Sequence, residues 1–400
     1  MTLHPSSFNG ERLREAREAR GISATSLSEL VRKSQQTISH YENGASTPPE
    51  ATLSELARSL NVSESFFFSR RDKERDKGFY FRSMAATTKT SRNKAERKAD
   101  WLSDVVNFIG EYVELPEPQF APLLEHTELH QITNEEIEEV AARVRQLWKL
   151  PPGPIANVVS LLEHKGAVVT RGPLGHESLD GLSFIDDHGR PFIMIGTDKG
   201  SPVRWRWDAA HELGHVVLHS DIDPSRLKPE DYALMEKQAH RFAGAFLVPA
   251  TAFHEDFFAA NLDTLKVMKL KWKVSISSLI LRAKQTRLIS DETEQRLWIN
   301  MSRRGWRKVE PFDDTMDVEY PRVLRLAIEM ILKETGMTSA DLVQAVDVPP
   351  SDITLLCSLQ DDFLADYSPI SVVANQRETS ERFEATPANV ISIKSRQRQV

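Results

Sequence analysis

The sequence feature that most constrains this chain is the pentapeptide His211-Glu212-Leu213-Gly214-His215, within RWRWDAAHELGHVVLHS. Its surroundings predict a helix from about residue 204 to 219, after a small sheet with a hairpin that turns at 187–189. Residues four apart lie on one face of a helix, so His211 and His215 can turn ring nitrogens toward one metal ion. The spacing therefore predicts a zinc site. Glu212 beside it can accept a proton from water as that water attacks a peptide carbonyl.

A catalytic zinc ion takes three protein ligands, and two residues compete for the third place. His219 lies one turn beyond His215, about 6 Å further along the helix axis, so one ion can hardly span all three histidines. Glu236 begins EKQAHRFAGAFLVP on a second predicted helix, and two helices that cross face to face can bring its carboxylate to the metal. His240 follows one turn later on the same face. His219 and His240 are therefore candidates for positions behind the ligands, although His240 could also be the ligand itself.

Composition limits the class of protein. The chain has 400 residues and a hydrophobic content of 40%, which is enough for more than one core. No apolar stretch approaches the roughly 18 residues that a membrane helix needs, and the first residues lack the apolar core of a secretory signal. We therefore expect a cytoplasmic protein with no membrane partner. Its single cysteine, Cys357, excludes a disulfide framework and is expected to be a buried reduced thiol.

The N-terminal quarter of the chain differs from the rest in charge. Residues 1–100 carry 18 Lys and Arg against 13 Asp and Glu, whereas the other 300 residues carry 33 against 45. Residues 8–68 contain short amphipathic helices separated by Gly21, Gly44 and Pro48-Pro49, and Ser34 is a suitable N-cap for the third helix. A helix, a tight turn and a second helix in a basic segment predict a helix-turn-helix that binds DNA.

The helix after Ser34 is the candidate reader. Ile38 and Tyr41 fall on its core-facing stripe, which leaves its first turn exposed. Glutamine can bond bidentately to adenine, and threonine can touch a thymine methyl group. The candidate contacts are Gln35, Gln36, Thr37, Ser39 and His40 on this helix, Arg32 and Lys33 in the turn, and Arg12 and Arg14 on the first helix.

These signals predict a multidomain, mainly α chain. We expect a helix-turn-helix domain at 8–68 and a basic linker at 69–100. An α+β metallopeptidase domain with a small sheet is expected at 101–310. A C-terminal helical unit follows at 311–362, where a core or dimer contact is favoured over a second DNA reader, and a disordered tail occupies 363–400.

Both predicted domains resemble known families. SQQTISHYENG, followed by PPEATLSELARSLNV, resembles the lambda-repressor and Xre class of helix-turn-helix. The stretch 79–311 is similar to the ImmA/IrrE metallo-endopeptidases, including the subgroup fused to an Xre-type domain. The residues that carry this likeness are FRS at 81–83, RPFIMI at 190–195, HELGHVVLH at 211–219 and EKQAHRFAGAFLVPA at 236–250.

The resemblance implies specific roles. His211, His215 and Glu236 would be zinc ligands, and Glu212 the general base. The substrate would be a protein, typically a transcriptional repressor cut in response to stress, phage or mobile DNA. Short members of the family commonly have Asn where this chain has His240, so the surroundings of the ligands differ here.

Two functions of different classes follow from these residues. One is a DNA-binding regulator whose zinc endopeptidase domain cleaves a regulatory protein, either a repressor or the product of a neighbouring gene. The other is a transcription factor or antitoxin whose zincin-like domain is a sensor that does not cut. The presence of Glu212 favours the first, because a sensor needs no general base. In either case we expect a homodimer on double-stranded operator DNA.

Overall fold

A computed structural model gives the fold, and it describes residues 7–69, 79–81, 88–120, 123–124, 128–176, 179–364 and 392–393. The helices among these residues are α1 (Gly10–Ala19), α2 (Ala24–Leu30), α3 (Gln35–Glu42), α4 (Glu50–Leu60), α5 (Lys89–Tyr112), α6 (Asn134–Leu147), α7 (Val158–His164), α8 (Pro202–Leu218), α9 (Pro229–Leu247), α10 (Ala250–Asp256), α11 (Leu262–Trp272), α12 (Ile276–Gln285), α13 (Asp291–Arg303), α14 (Val323–Thr335), α15 (Ser339–Val346) and α16 (Pro350–Leu356). The strands are β1 (Tyr80–Phe81), β2 (Val113–Glu114), β3 (Val168–Gly172), β4 (Gly181–Ile185), β5 (Pro191–Gly196) and β6 (Ser392–Ile393).

The chain divides into two compact units. The first comprises residues 1–74, 88–116 and 322–400, and the second comprises residues 75–87 and 117–321. The predicted fold class is confirmed: the chain is mainly helical, with an N-terminal helix-turn-helix region, a small sheet before helix α8, and helices toward the C-terminus. The predicted division into domains differs from the observed one in two places.

The N-terminal helices of the first unit form as their caps and apolar stripes predict. Ser23 and Ser34 cap α2 and α3, each accepting a hydrogen bond from a backbone N–H three residues ahead. Ile38 and Tyr41 on α3 are buried, as expected for the core-facing stripe. Helix α3 therefore buries one face in the core and exposes the opposite face to solvent.

The basic linker predicted at 69–100 is partly wrong, because helix α5 begins at Lys89. Thr88 caps this helix, and Ala95, Ala99 and Trp101 are buried along it. The polar residues between these apolar positions concealed the helical period from Lys89 onward. Helix α5 also belongs to the first unit, so the metallopeptidase-like part does not begin at residue 101 as predicted.

The C-terminal helices α14–α16 do not form a separate unit. They pack on α5 within the first unit, which also contains α1. Arg20 donates to Asp352 at 2.8 Å, and Lys98 of α5 pairs with the same buried carboxylate. These buried charge pairs make α14–α16 part of the core that supports the helix-turn-helix. The tail predicted to be disordered lies outside the described residues, except for positions 363, 364, 392 and 393.

The second unit contains a four-stranded sheet in the order β1-β4-β5-β3. Strands β4 and β5 are antiparallel, and β3 runs parallel to β5. Asp186 and Arg190 close the predicted turn between β4 and β5 with a backbone hydrogen bond of 3.0 Å. Helix α8 packs against β4 and β5, which places the buried pentapeptide under the sheet.

Helices α8 and α9 pack against each other at a close approach that a glycine allows. A Cβ at Gly214 would stand 3.0 Å from the carbonyl oxygen of Ala239. The absence of a side chain at Gly214 therefore lets α9 lie near the face of α8 that carries the histidines. None of the helices in the described part of the chain combines the length and apolar character that crossing a bilayer requires.

Candidate functional site

Three side chains from α8 and α9 bring potential metal ligands to one point of the second unit. The Nε2 atoms of His211 and His215 are 3.1 Å apart. Glu236 places one carboxylate oxygen 3.3 Å from Nε2 of His211 and the other 3.2 Å from Nε2 of His215. Helical spacing supplies the two histidines, and the packing of α9 on α8 supplies the carboxylate. The three residues chosen as ligands from sequence thus lie together.

Burial and charge shape this cluster. His211 and His215 are buried, and the side chain of Glu236 is 18% exposed. Burial by itself would raise the pKa of Glu236, but His215 and His211 outweigh it and lower the pKa to about 2. The lowered pKa favours the anionic form of Glu236, which is the form that binds a metal ion.

Glu212 is fully buried and its carboxylate faces strand β4. The hydroxyl of Ser183 donates to Oε2 of Glu212 at 2.6 Å. A Cβ at Gly181 would stand 2.7 Å from Oε1, so this glycine leaves the space that the carboxylate occupies. Glu212 is outside the group of converging ligand atoms, and its neighbours on β4 hold its orientation.

His219 lies behind the cluster. Its Nδ1 is 3.2 Å from Nδ1 of His215, the nitrogen opposite to the one that faces Glu236. Its Nε2 is 3.1 Å from Oε1 of Gln238. Burial and the neighbouring His215 lower the pKa of His219 well below its usual range. The histidine that spacing excluded from the ligands thus contacts a ligand.

Tyr80 is a buried residue that packs against His215. Its ring stacks on the ring of His215 with a centroid separation of 5.4 Å. Its hydroxyl donates to the carbonyl oxygens of His219 and Ile222 at 2.5 and 2.8 Å. Strand β1 therefore holds a buried aromatic ring against the second histidine of the motif.

His240 borders an open cleft beside the cluster. Its Nδ1 accepts a hydrogen bond of 3.2 Å from Nε1 of Trp207. Its ring centroid is 6.3 Å from that of His211, and it is outside the converging group. The cleft has a volume of about 440 Å³, and its lining includes Asn134, His211, Glu236, Lys237, His240 and Arg241. Two of the candidate ligands, His211 and Glu236, therefore line an open cleft.

Helix α3 of the first unit presents most of its predicted reading residues to solvent. Gln35, Gln36, Ser39 and His40 are exposed, and Thr37 is partly exposed. The Thr37 hydroxyl lies 2.8 Å from that of Ser34, so its methyl group is the part left for an apolar contact. Arg32 and Lys33 in the preceding turn are also exposed.

The two arginines of α1 that were expected to contact phosphate, Arg12 and Arg14, differ in their exposure to solvent. Arg12 is buried and pairs with Glu15 and Asp347 at 2.8 Å each, so its prediction as a phosphate contact is wrong. Arg14 is partly exposed but lies 2.5 Å from Oδ1 of Asn43. The predicted DNA contacts that are exposed therefore lie on helix α3 and in the turn before it.

Three residues at the candidate metal site were not predicted from the sequence. Ser183 is a serine in a buried strand, Gln238 is a polar residue on a helix, and Tyr80 belongs to a short apolar island. No motif or spacing distinguishes them, because each meets the cluster through contacts between distant elements. One further histidine near helix α9, His130, is exposed and lies 2.7 Å from Asp231, so it is not part of the converging ligands.

Comparison with known proteins assigns both parts of the chain. Residues 162–284 match a peptidase-family model, M78, which is described as the IrrE N-terminal-like domain. Residues 13–67 match a helix-turn-helix model. A comparison with curated proteins gave no match. The first match includes helices α8 and α9 with the converging ligands, and the second includes the exposed face of α3. The chain therefore contains an IrrE N-terminal-like, metallopeptidase-like domain preceded by a helix-turn-helix DNA-binding domain.

Proposed function

We propose that this protein is a DNA-binding regulator whose second unit is a zinc endopeptidase that cleaves a regulatory protein. The observation that carries the proposal is the convergence of His211, His215 and Glu236 beside the buried carboxylate of Glu212. Two imidazoles and one carboxylate form a donor set typical of catalytic zinc, which keeps one position open.

The geometry of the three donors suits a zinc ion. A tetrahedral ion with bonds of about 2.0–2.1 Å to its ligands separates those ligand atoms by about 3.3 Å. The separations here are 3.1, 3.2 and 3.3 Å. His211, His215 and Glu236 would therefore hold the ion with little rearrangement. A zinc ion bound there would supply Lewis-acid polarisation of a peptide carbonyl and of the attacking water.

The residues of the chain supply the proton transfer. Glu212 accepts the proton of water as that water attacks the peptide carbonyl, and it can then deliver the proton to the leaving amine. Ser183 keeps the carboxylate turned toward β4 by donating to Oε2. Glu212 is outside the group of ligand atoms, so binding the metal does not explain its place in the motif. A role in proton transfer does explain it.

A protein substrate fits the surroundings of the site. The cleft beside His211 and Glu236 is open, and the polar groups of side chains along it, such as Asn134, can hydrogen-bond an extended peptide backbone. A regulator also needs a restricted protease, since indiscriminate cleavage would destroy its host. We therefore propose that the substrate is a repressor or the product of a neighbouring gene, in control of stress, phage defence or mobile elements.

The first unit would deliver this activity to DNA. Gln35 and Gln36 occupy the exposed N-terminal turn of α3, where recognition helices contact base edges in the major groove. Arg32 and Lys33 lie at the same end of the helix and can contact phosphate. We propose that a homodimer in the cytoplasm binds two half-sites about one helical turn apart.

A glutamine substitution at Glu212 tests the proposal. Glu212→Gln keeps the shape and hydrogen bonding of the side chain but removes the base, so it should retain zinc and DNA affinity and lose cleavage. The assay is incubation of wild-type and variant protein with neighbouring gene products, together with elemental analysis of zinc. Undiminished cleavage by Glu212→Gln would refute the mechanism. A wild-type protein that binds zinc and DNA but cleaves nothing would support the sensor instead.

A further inference from the structure

We propose that Gln238 and His219 form a buried relay that fixes the hydrogen of His215 on Nδ1 and leaves Nε2 of His215 to bind the metal. The two residues act through His215, so they are positioning residues. This inference rests on the proposed zinc site. The relay determines which nitrogen of His215 faces the metal.

The relay begins at Gln238, whose amide orientation is determined by its neighbours. The amide nitrogen donates to the carbonyl oxygens of Leu129 and Ile132 at 2.9 and 3.1 Å. Both of these groups can only accept a hydrogen bond. The reversed amide would place its oxygen against two carbonyl oxygens inside the protein, at the cost of burying polar atoms that repel. Oε1 of Gln238 therefore faces His219.

The orientation of Gln238 determines which nitrogen of His219 carries hydrogen. Oε1 is 3.1 Å from Nε2 of His219, and an amide oxygen only accepts. Nε2 of His219 must then be the donor. An imidazole that carries one hydrogen has one donor nitrogen and one acceptor nitrogen. Nδ1 of His219 is therefore the acceptor.

The contact between His219 and His215 then determines which nitrogen of the candidate ligand His215 carries hydrogen. Nδ1 of His219 lies 3.2 Å from Nδ1 of His215. Since the first is an acceptor, the second donates, and His215 carries its hydrogen on Nδ1. The lone pair of His215 then lies on Nε2, which faces His211 and Glu236 at 3.1 and 3.2 Å. Histidines that bind metals commonly donate their other N–H to a protein acceptor, which fixes tautomer and ring orientation.

The relay also ties the two helices of the site together. Helix α9 supplies Glu236 as a ligand and Gln238 two residues later as the anchor. Helix α8 supplies His215 as a ligand, and His219, the C-cap residue of this helix, follows four residues later as the link. Gln238 is held by the carbonyl groups of Leu129 and Ile132. This short segment therefore helps to orient His215, although it lies far from His215 in the sequence. His219 thus has a role although it lies too far from His211 along the chain to join the ligands.

Zinc affinity measured by chelator competition on the full chain tests the relay. Gln238→Leu removes the acceptor of His219 and should weaken zinc binding by about tenfold to a hundredfold, the usual effect of losing a group that orients a ligand. Gln131→Leu is the matched control, because Gln131 is an exposed glutamine between Leu129 and Ile132. This variant should bind zinc as the wild type does. Equal affinity in Gln238→Leu and Gln131→Leu would overturn the relay.

A second measurement needs no substitution and so does not depend on a variant that folds. In zinc-loaded wild-type protein labelled with ¹⁵N-histidine, NMR should place hydrogen on Nδ1 of His215 and on Nε2 of His219, with a coupling across the hydrogen bond between the two Nδ1 atoms. Hydrogen on Nδ1 of His219 would overturn the proposal. A wild-type protein that takes up no zinc would instead refute the proposed zinc site, so the two failures are distinct.

Discussion

The hydroxyl of Ser183 on strand β4 donates a 2.6 Å hydrogen bond to Oε2 of Glu212 on helix α8. Both side chains are fully buried. The contact joins the sheet to helix α8 at Glu212, the acidic residue of the HELGH pentapeptide, which is not among the converging ligands. Removing it would leave a buried carboxylate with one partner fewer and with greater freedom to turn.

We expect Ser183→Ala to lower the rate of cleavage by about tenfold or more, since a hydrogen bond to a charged group contributes about 1.5–3 kcal/mol. Zinc content should not change, because Ser183 touches no candidate ligand atom in the described contacts. Ser183→Thr keeps a hydroxyl and should restore part of the rate. The measurement is kcat on the physiological partner. A rate equal to that of the wild type in Ser183→Ala would show that Glu212 does not need this contact.

Gly181→Ala tests the space beside the same carboxylate. The added Cβ would stand 2.7 Å from Oε1 of Glu212, so the carboxylate must move away from β4. We expect cleavage to fall at least as far as in Ser183→Ala while zinc binding persists. Gly153→Ala is the matched control, because a Cβ at Gly153 meets no atom within 4 Å. Equal rates for the two alanine variants would contradict the predicted steric effect.

Metal content should distinguish the ligands from the relay. We expect about one zinc ion per chain in the wild type, and its loss in His211→Ala and Glu236→Ala, because each removes one of three donors. His219→Ala should retain the ion at saturating zinc, although with the lower affinity that the relay predicts. Elemental analysis after dialysis against excess zinc measures this. Equal loss from Glu236→Ala and His219→Ala would refute the choice of Glu236 over His219.

DNA specificity should depend on the exposed first turn of α3. Gln35→Ala or Gln36→Ala should cost about 1–3 kcal/mol at the cognate operator and little on random DNA, because base contacts discriminate and phosphate contacts do not. Gln344→Ala provides the control, since Gln344 is an exposed glutamine of the same unit on α15. Gel-shift titrations at fixed salt measure the difference. Equal weakening on cognate and random DNA would show that the two glutamines do not specify sequence.

The buried carboxylate of Asp352 should support the helix-turn-helix from the C-terminal part of the chain. Asp352→Ala would leave Arg20 and Lys98 without their shared anion, and breaking a buried ion pair costs about 3–5 kcal/mol of unfolding free energy. We expect a lower midpoint for unfolding of the first unit, measured by denaturant titration with DNA binding as the probe. Asp361→Ala, at an exposed aspartate, should have little effect. Similar midpoints in the two variants would contradict this role.

The sequence alone determined what depends on local geometry. A four-residue spacing on a helix puts His211 and His215 on one face wherever that helix lies, and a serine before an amphipathic run starts α3 at Gln35. The third ligand could be predicted because Glu236 lies in a second predicted helix whose likeness to known metallopeptidases implied its role. These features are encoded within a few turns of chain.

Tertiary packing decided the rest. Ser183 meets Glu212, Gln238 meets His219, and Asp352 meets Arg20 only because distant elements pack together, and no spacing along the chain encodes those pairs. The same reason explains why α5 was shortened in the prediction and why α14–α16 were assigned to a separate unit. Their apolar faces are recognisable as faces, but the partner that buries each face is chosen by the free energy of the whole core.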